Sequence, residues 1–417
     1  MGLIRDHADF RRLWTAFTVS ELGSQVSMLA IPLIAVIWMH ASTFEAAALV
    51  AAGNAAFLLI GLPAGAWVDR MGRRRVMVTA DVIRAALIGS VPIAYAGGWL
   101  TIEWLAAVAL GTGLAGVFFD LADLSLLPAI VGGDDLVAAN ARLETSRSVA
   151  YAVGPGLSGG LINLVGGPLA VLADALSFLW SAAWVSRIAA HPPKPSPSEA
   201  ATRPRTPLRD QIGEGFRIMW ANPILRANAL YNTVVVLSWS LARGVETVFL
   251  VRVVHLHAGS IGLVFSVSSA GAVAGGYAAT RLSARLGTAR AMLIAAVLSN
   301  LPVLLIPLTG PGWRLGFFVA GVGVSSCFVV AFNVVSVSYR QGAVPSAVLG
   351  RTTASMRFLS WGSLPLGSLL GGWIATEVGI RTTLWISALG GLLGVLWLLG
   401  LPRRSEAAGP AGVPLEV

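Results

Sequence analysis

What most constrains this chain is a recurring pattern, a ladder of apolar runs each long enough to cross a bilayer and each ended by Gly, Pro or charge. A membrane-spanning helix needs about 20 mostly apolar residues, because hydrocarbon offers no partner to an exposed backbone N–H or C=O. Runs of this kind lie at 13–39, 44–68, 76–97, 103–127, 147–165, 168–188, 224–250, 258–281, 289–309, 314–338, 356–376 and 382–401. Charged residues make up 12% of the chain, against about 25% in soluble domains. The expected fold is an all-α polytopic membrane protein with twelve transmembrane helices, its substance shared with the lipid bilayer. The first run is too long for a cleaved signal peptide and is read as span one.

Basic residues set the orientation of such a ladder. One side receives 24 of the 29 Lys and Arg; the other receives only Arg252, Arg314 and Arg381, and Arg84 and Arg243 lie inside spans. Both termini are therefore expected in the cytoplasm of a cell-membrane protein. The net charge of +9 is explained by this topology, and nucleic acid is not an expected partner. Residues 189–223 open with a Pro-, Ser- and charge-rich stretch and read as a cytoplasmic linker between a six-helix half at 1–188 and another at 224–402, with a cytoplasmic tail at 403–417. Matching positions recur between the halves: Gly65 and Arg70 with Gly276 and Arg281 at an offset of 211, Arg147 and Pro155 with Arg357 and Pro365 at 210, and Gly159-Gly160 with Gly371-Gly372 at 212. A parallel duplication places a substrate between the halves near the midplane.

Several literal motif matches fail on context. Gly111-Thr-Gly113-Leu-Ala-Gly116 and the Gly154, Gly156, Gly159 set spell the dinucleotide fingerprint, but neither follows a strand. Gly156-Leu-Ser158-Gly-Gly160 spells a hydrolase elbow, yet it lies within a span. No Walker sequence and no metal-spaced cluster occurs, and Cys327 is the only cysteine. No enzyme, cofactor or metal site is expected. The glycines, including the pairs Gly61/Gly65, Gly271/Gly275, Gly367/Gly371 and Gly390/Gly394, are read as helix-packing positions.

Between spans two and three stands Gly65-Ala-Trp-Val-Asp69-Arg70-Met-Gly72-Arg73-Arg74-Arg75. This spacing resembles the signature loop of the major facilitator superfamily. The resemblance implies a cytoplasmic gate in which Gly65, Asp69, Arg70, Gly72 and Arg73 latch the halves, with Asp69 near Arg357 of span eleven; residues 276–283 look like a degraded second copy. In span five, Gly154-Pro155-Gly-Leu-Ser158-Gly159-Gly160 resembles the antiporter motif of drug exporters, and Gly154, Pro155, Gly159 and Gly160 would form a bendable, closely packed segment between the halves. The arginine such antiporters carry in span four is missing from 105–127. Phe10-Arg-Arg-Leu-Trp14, Phe118-Phe-Asp120, Leu127-Pro128, Leu136-Val-x-Ala-Asn140, Glu144-x-x-Arg147-Ser148 and Asp174-Ala-Leu-Ser177-Phe are similar to the exporter branch of enterobactin and macrolide efflux proteins, the transmembrane secretion effectors. That likeness implies export of a small organic molecule coupled to an ion gradient.

An intramembrane carboxylate costs about 2.5 to 3.5 kcal/mol on insertion scales, so each is a functional candidate. Glu21 shares a span-one face with Ser20, Ser24 and Gln25, as a cavity-lining helix would; it is the first candidate for a proton or cation site, with Gln25 beside it. Arg243 and Glu246 of span seven read either as a self-satisfied pair or as a cavity pair for a charged substrate. Asp174 joins these candidates without an assigned role. Asp81 is read as neutralising Arg84, and Asp120 and Asp123 as completing the gate near Arg70 and Arg73. The expected function is a secondary exporter that works as a monomer, with a small-molecule substrate and a proton or other cation. Alternatives are an importer of a nutrient or siderophore and, from another class, a non-transporting receptor or scaffold.

Overall fold

The computed structural model describes residues 7–189, 208–344 and 346–399. They are helical, with no strand among them. Eleven helices meet the length and hydropathy of a bilayer span: Ala8–Trp38, Thr43–Gly61, Arg73–Ala96, Ile102–Gly132, Ala138–Val165, Gly167–Val185, Pro223–Val253, Ala258–Leu286, Thr288–Leu308, Gly312–Ala343 and Ile380–Leu399. Span two continues as helix to Arg70. Span eleven, Ser346–Val378, completes the twelve as a 33-residue helix; its lower hydropathy comes from serines it keeps inside, Ser355, Ser360, Ser363 and Ser368, all buried. The linker expected over 189–223 contains a further helix, Leu208–Ala221. Its Phe216 and Met219 pack with Leu225, Tyr339 and Met356, while Glu214 pairs with Arg351.

Local chemistry sets the ends of these helices. Ser42 and Glu45 form a reciprocal cap at the start of span two, with Glu45 N donating to Ser42 Oγ at 3.2 Å and Ser42 N to Glu45 Oε2 at 2.7 Å. Spans four and five run on through a single non-helical residue, Gly132, at φ 72°, a conformation a side chain would resist.

The duplication is visible in the backbone itself. Spans one and seven both widen into a π-turn, Ile34–Trp38 and Phe249–Val253, and both then end on a left-handed histidine, His40 at φ 54° and His255 at φ 60°. Ala41 N donates to Ala35 O at 2.8 Å and, correspondingly, Leu256 N to Leu250 O at 2.9 Å. These matches are 215 positions apart, which corrects the expected second copy of the signature loop. Span eight stays helical to Leu286 and Gly287 precedes span nine, so 276–283 lies inside a helix. The segment in the place of Arg70-Met-Gly72-Arg-Arg-Arg75 is Arg285-Leu-Gly287-Thr-Ala-Arg290.

The contact units cut across the sequence halves. One unit combines 7–189 with Ser240–Val267 and Leu364–Thr383; the other combines 208–239, Ser268–Ser363 and 384–399. The first has a core of Phe10, Leu13, Phe17, Met77, Phe119 and Leu126, among others. The second is built on Tyr231, Met292, Phe332 and Leu398. In the second unit, Gly271 faces the backbone of Gly323, Gly275 that of Cys327, and Gly390 the Ser238 side chain, so closely that a Cβ would collide. In the first, Gly371 meets the Leu241 backbone and Gly113 that of Gly53. Most of the paired glycines, and the middle glycine of the apparent nucleotide motif, are thus helix contacts.

Candidate functional site

Span one supplies the centre of the site. Ser20 and Gln25 are buried and Glu21 is half-buried on the same face. The cation that meets Glu21 comes from span five: Arg147 Nε lies 3.6 Å from Glu21 Oε1, and its Nη1 donates to Glu144 Oε2 at 3.2 Å. The Arg147 guanidinium also sits 5.0 Å from the centre of the Phe17 ring, a cation–π approach that favours keeping it charged. The sequence counts Arg147 with the cytoplasmic basic residues. Span five starts at Ala138, however, which carries Arg147 about two and a half turns into the helix.

Span four adds two carboxylates. The charges that act on Asp120 are Arg84 and Arg147, and those that act on Asp123 are Asp120, Arg147 and Glu21. The structure therefore gathers Glu21, Asp120, Asp123 and Arg147 into one group. Asp123 Oδ1 is buried and accepts no hydrogen bond, and so does Gln25 Oε1, one turn along from Glu21. Unmet acceptors of this kind are costly unless a proton or ligand supplies the donor.

Next to this group lies a second pair, whose arginine also acts on Asp120. Arg84 Nη2 donates to Asp81 Oδ1 at 2.6 Å, and the guanidinium is held between Phe119 and Phe178 at 4.4 and 4.5 Å from the ring centres. This is the neutralising role expected of Asp81. Asp174 is buried at 1% exposure; Ser24 and Ser177 donate to its Oδ1 at 3.3 and 3.2 Å. Gly23 permits that arrangement, since a side chain there would overlap Ser177. On span seven, Arg243 Nη1 donates to Glu246 Oε2 at 3.3 Å, a pairing common to both readings of these two residues.

The glycines of span five have assigned neighbours. Gly154 lies against the Gln25 side chain, so any side chain there would displace it. Pro155 has no N–H to give the helix, and the next amide, Gly156 N, donates to Ser266 Oγ of span eight at 2.8 Å. A Cβ on Gly159 would be 2.7 Å from the Ala258 carbonyl and 3.0 Å from the Gly262 Cα, so spans five and eight touch backbone to backbone. Gly160 has open space beside it. Ser158 donates back to Gly154 O at 2.7 Å as an ordinary helix serine. The symmetry-related contact is span eleven on span two, with Gly372 against Ala47. Together with Val36, Ala46 and Val248, these contacts close one end of the first unit. Neither Gly262 nor Ser266 stood out in the sequence, since small residues are common on every span.

Of the expected gate, Gly72 is the N-cap of span three and Arg73 its first residue; Arg357 stacks on Trp361 at 5.4 Å. The side chains at positions 65, 69 and 70 lie outside the described residues. The neighbouring Arg74 donates to Ile188 O at 2.8 Å and Arg12 to Arg187 O at 2.7 Å, tying the end of span six to spans one and three. Among the described residues no group of His, Cys, Asp and Glu could hold a metal ion.

A model of the transmembrane secretion effector family matches residues 4–409. The chain is 29% identical to the multidrug efflux pump Tap of Mycolicibacterium fortuitum, over 94% of this chain and 95% of that protein. It is 28% identical to Tap of Mycobacterium tuberculosis, over 94% and 93%. Among solved structures it is similar to a bacterial homologue of the iron transporter ferroportin in an inward-facing state, with TM-score 0.75, 16% identity and coverage of 96% and 99%. It is also similar to the nucleoside transporter NupG, with TM-score 0.72, 12% identity and coverage of 94% and 97%. These likenesses to structures bear on the fold alone.

Proposed function

The chain belongs to the transmembrane secretion effector family of the major facilitator superfamily, a family of multi-pass membrane transporters of small molecules, and on that footing we propose that it is a proton-coupled exporter working by alternating access. Its substrate on this reading is a small organic molecule: a drug, siderophore or secondary metabolite. That the Tap relatives are multidrug efflux pumps supports the export direction. The protein lies in the cytoplasmic membrane as a monomer with both termini and the 189–223 linker inside, and the halves 1–188 and 224–402 rock about a central cavity.

The observation that carries the coupling is the Glu21–Arg147 pair at 3.6 Å with Asp123 Oδ1 unmet beside it. A proton taken up by Glu21 cancels its attraction for Arg147 and frees the guanidinium for Asp120 or Asp123; release of that proton restores the pair. Substrate and proton then favour different arrangements of the same charges, and only such differential binding can drive a cycle. Arg147 supplies from span five the cation absent from span four.

A panel of antibiotics and siderophores, with accumulation followed in cells with and without the protein, tests the direction. Lower accumulation supports export. Faster uptake overturns it in favour of import.

A further inference from the structure

Arginine is scarce on the side of the ladder read as external, where the sequence places only Arg252, Arg314 and Arg381. Two of these three converge. At the closed end of the first unit an open cleft of about 660 Å³ is lined by Ser42, Thr43, Arg252, Thr376, Arg381 and Thr382, with four further residues, none of them acidic. Arg252 is exposed and donates to the Ala41 carbonyl at 2.5 Å, which anchors its guanidinium at the cleft. Arg381 is exposed and lies 5.9 Å from the centre of the Phe249 ring. Of the carboxylates near in sequence, Glu45 accepts the Ser42 amide within the helix cap, and Glu377 is exposed at the end of span eleven. Thr376 donates back to Gly372 O at 2.9 Å and Ser42 Oγ takes the Glu45 amide, leaving the hydroxyls of Thr43 and Thr382 for a ligand.

We propose that this cleft binds a phosphate-class anion, gripped by Arg252 and Arg381. Guanidinium donors match phosphate oxygens in pairs, and two of them in one acid-free cleft make a site for a tetrahedral anion rather than for a neutral solute. The anion is either the headgroup of a lipid in the adjoining leaflet or free phosphate, and both offer the same oxygens. It joins the start of span two, the ends of spans seven and eleven and the start of span twelve, all within the first unit. Its binding therefore favours the arrangement in which this end is closed, by the differential affinity that governs any ligand-linked equilibrium. The site goes beyond the proposed export and involves none of the charges assigned to coupling.

The test uses the purified full chain in neutral detergent, titrated calorimetrically with sodium phosphate and, separately, with dihexanoyl-phosphatidylglycerol. Wild type binds at least one of them saturably. Arg381→Gln weakens that binding by about tenfold, the loss expected for one charge-assisted contact. Arg381→Lys, which keeps the charge and loses the fork, falls between them and guards against a folding defect in the Gln variant. Arg314→Gln, on the same side but outside the cleft, keeps wild-type affinity. Binding of phosphate identifies a free-anion site, and binding of the lipid alone identifies a headgroup site; either result supports the cleft. Absence of binding by wild type, unchanged affinity in Arg381→Gln, or an equal loss in Arg314→Gln overturns it. Because binding is read without transport, failure here leaves the export reading standing, and failed export leaves this site standing.

Discussion

Glu21 of span one and Arg147 of span five meet at 3.6 Å in the interior of the first unit, two charges that the sequence assigns to different compartments. The pair is half-buried, so each partner retains access to protons while losing much of its hydration. Protonation of Glu21 removes its charge and with it the attraction for Arg147.

Replacing Glu21 with Gln keeps the shape and removes the titration. In proteoliposomes Glu21→Gln is expected to lose gradient-driven export while retaining binding and exchange of a transported substrate, and Glu21→Asp to keep partial activity with a displaced pH profile. Full uphill export by Glu21→Gln would eliminate this residue as the coupling site.

The backbone contact at Gly159 and Gly262 makes the closed end sensitive to a single side chain. Gly262→Leu forces atoms into the Pro155 carbonyl and the Gly159 Cα, an overpacking that costs about 1 to 3 kcal/mol and shifts conformers by about tenfold. A cysteine at Ala46, buried at this end at 2% exposure, is then alkylated faster by an impermeant maleimide in a chain with Cys327→Ser. An unchanged rate means that these glycines only pack.

Asp81 and Arg84 are expected to behave as a structural pair. Removing one charge leaves the other stranded against Phe119 and Phe178, at a cost of about 3 to 5 kcal/mol. Asp81→Asn therefore lowers the melting temperature markedly, and Asp81→Asn with Arg84→Gln recovers a good part of the loss. Equal melting of the single and double variants contradicts the pairing.

Topology has its own check, motivated by the imbalance between the two sides, 23 basic residues once Arg147 is placed inside span five against three. Reporters fused within the 189–207 stretch and after Arg404 should both signal cytoplasm. An external signal at either point breaks the ladder.

What the sequence determined by itself was the ladder, because a bilayer asks one simple thing of each helix, about 20 apolar residues in a row. It also carried the duplication and the identity of the carboxylates within the spans, since a charge inside an apolar run is conspicuous wherever it points. Partnership was decided by the tertiary structure. Arg147 reads as a loop cation because the stretch before it is polar, yet Gly132 turns the chain early and the helix from Ala138 carries Arg147 inward to Glu21. The register of the repeat failed for the same reason: span eight stays helical to Leu286, past the point where its apolar run fades. Arg252 and Arg381 lie more than a hundred residues apart in the chain, and only the packing of span two with the end of span seven and the turn from span eleven into span twelve brings them to one cleft. Helix ends and crossings follow from backbone hydrogen bonding and close contact between spans, and neither leaves a mark in the local run of apolar residues.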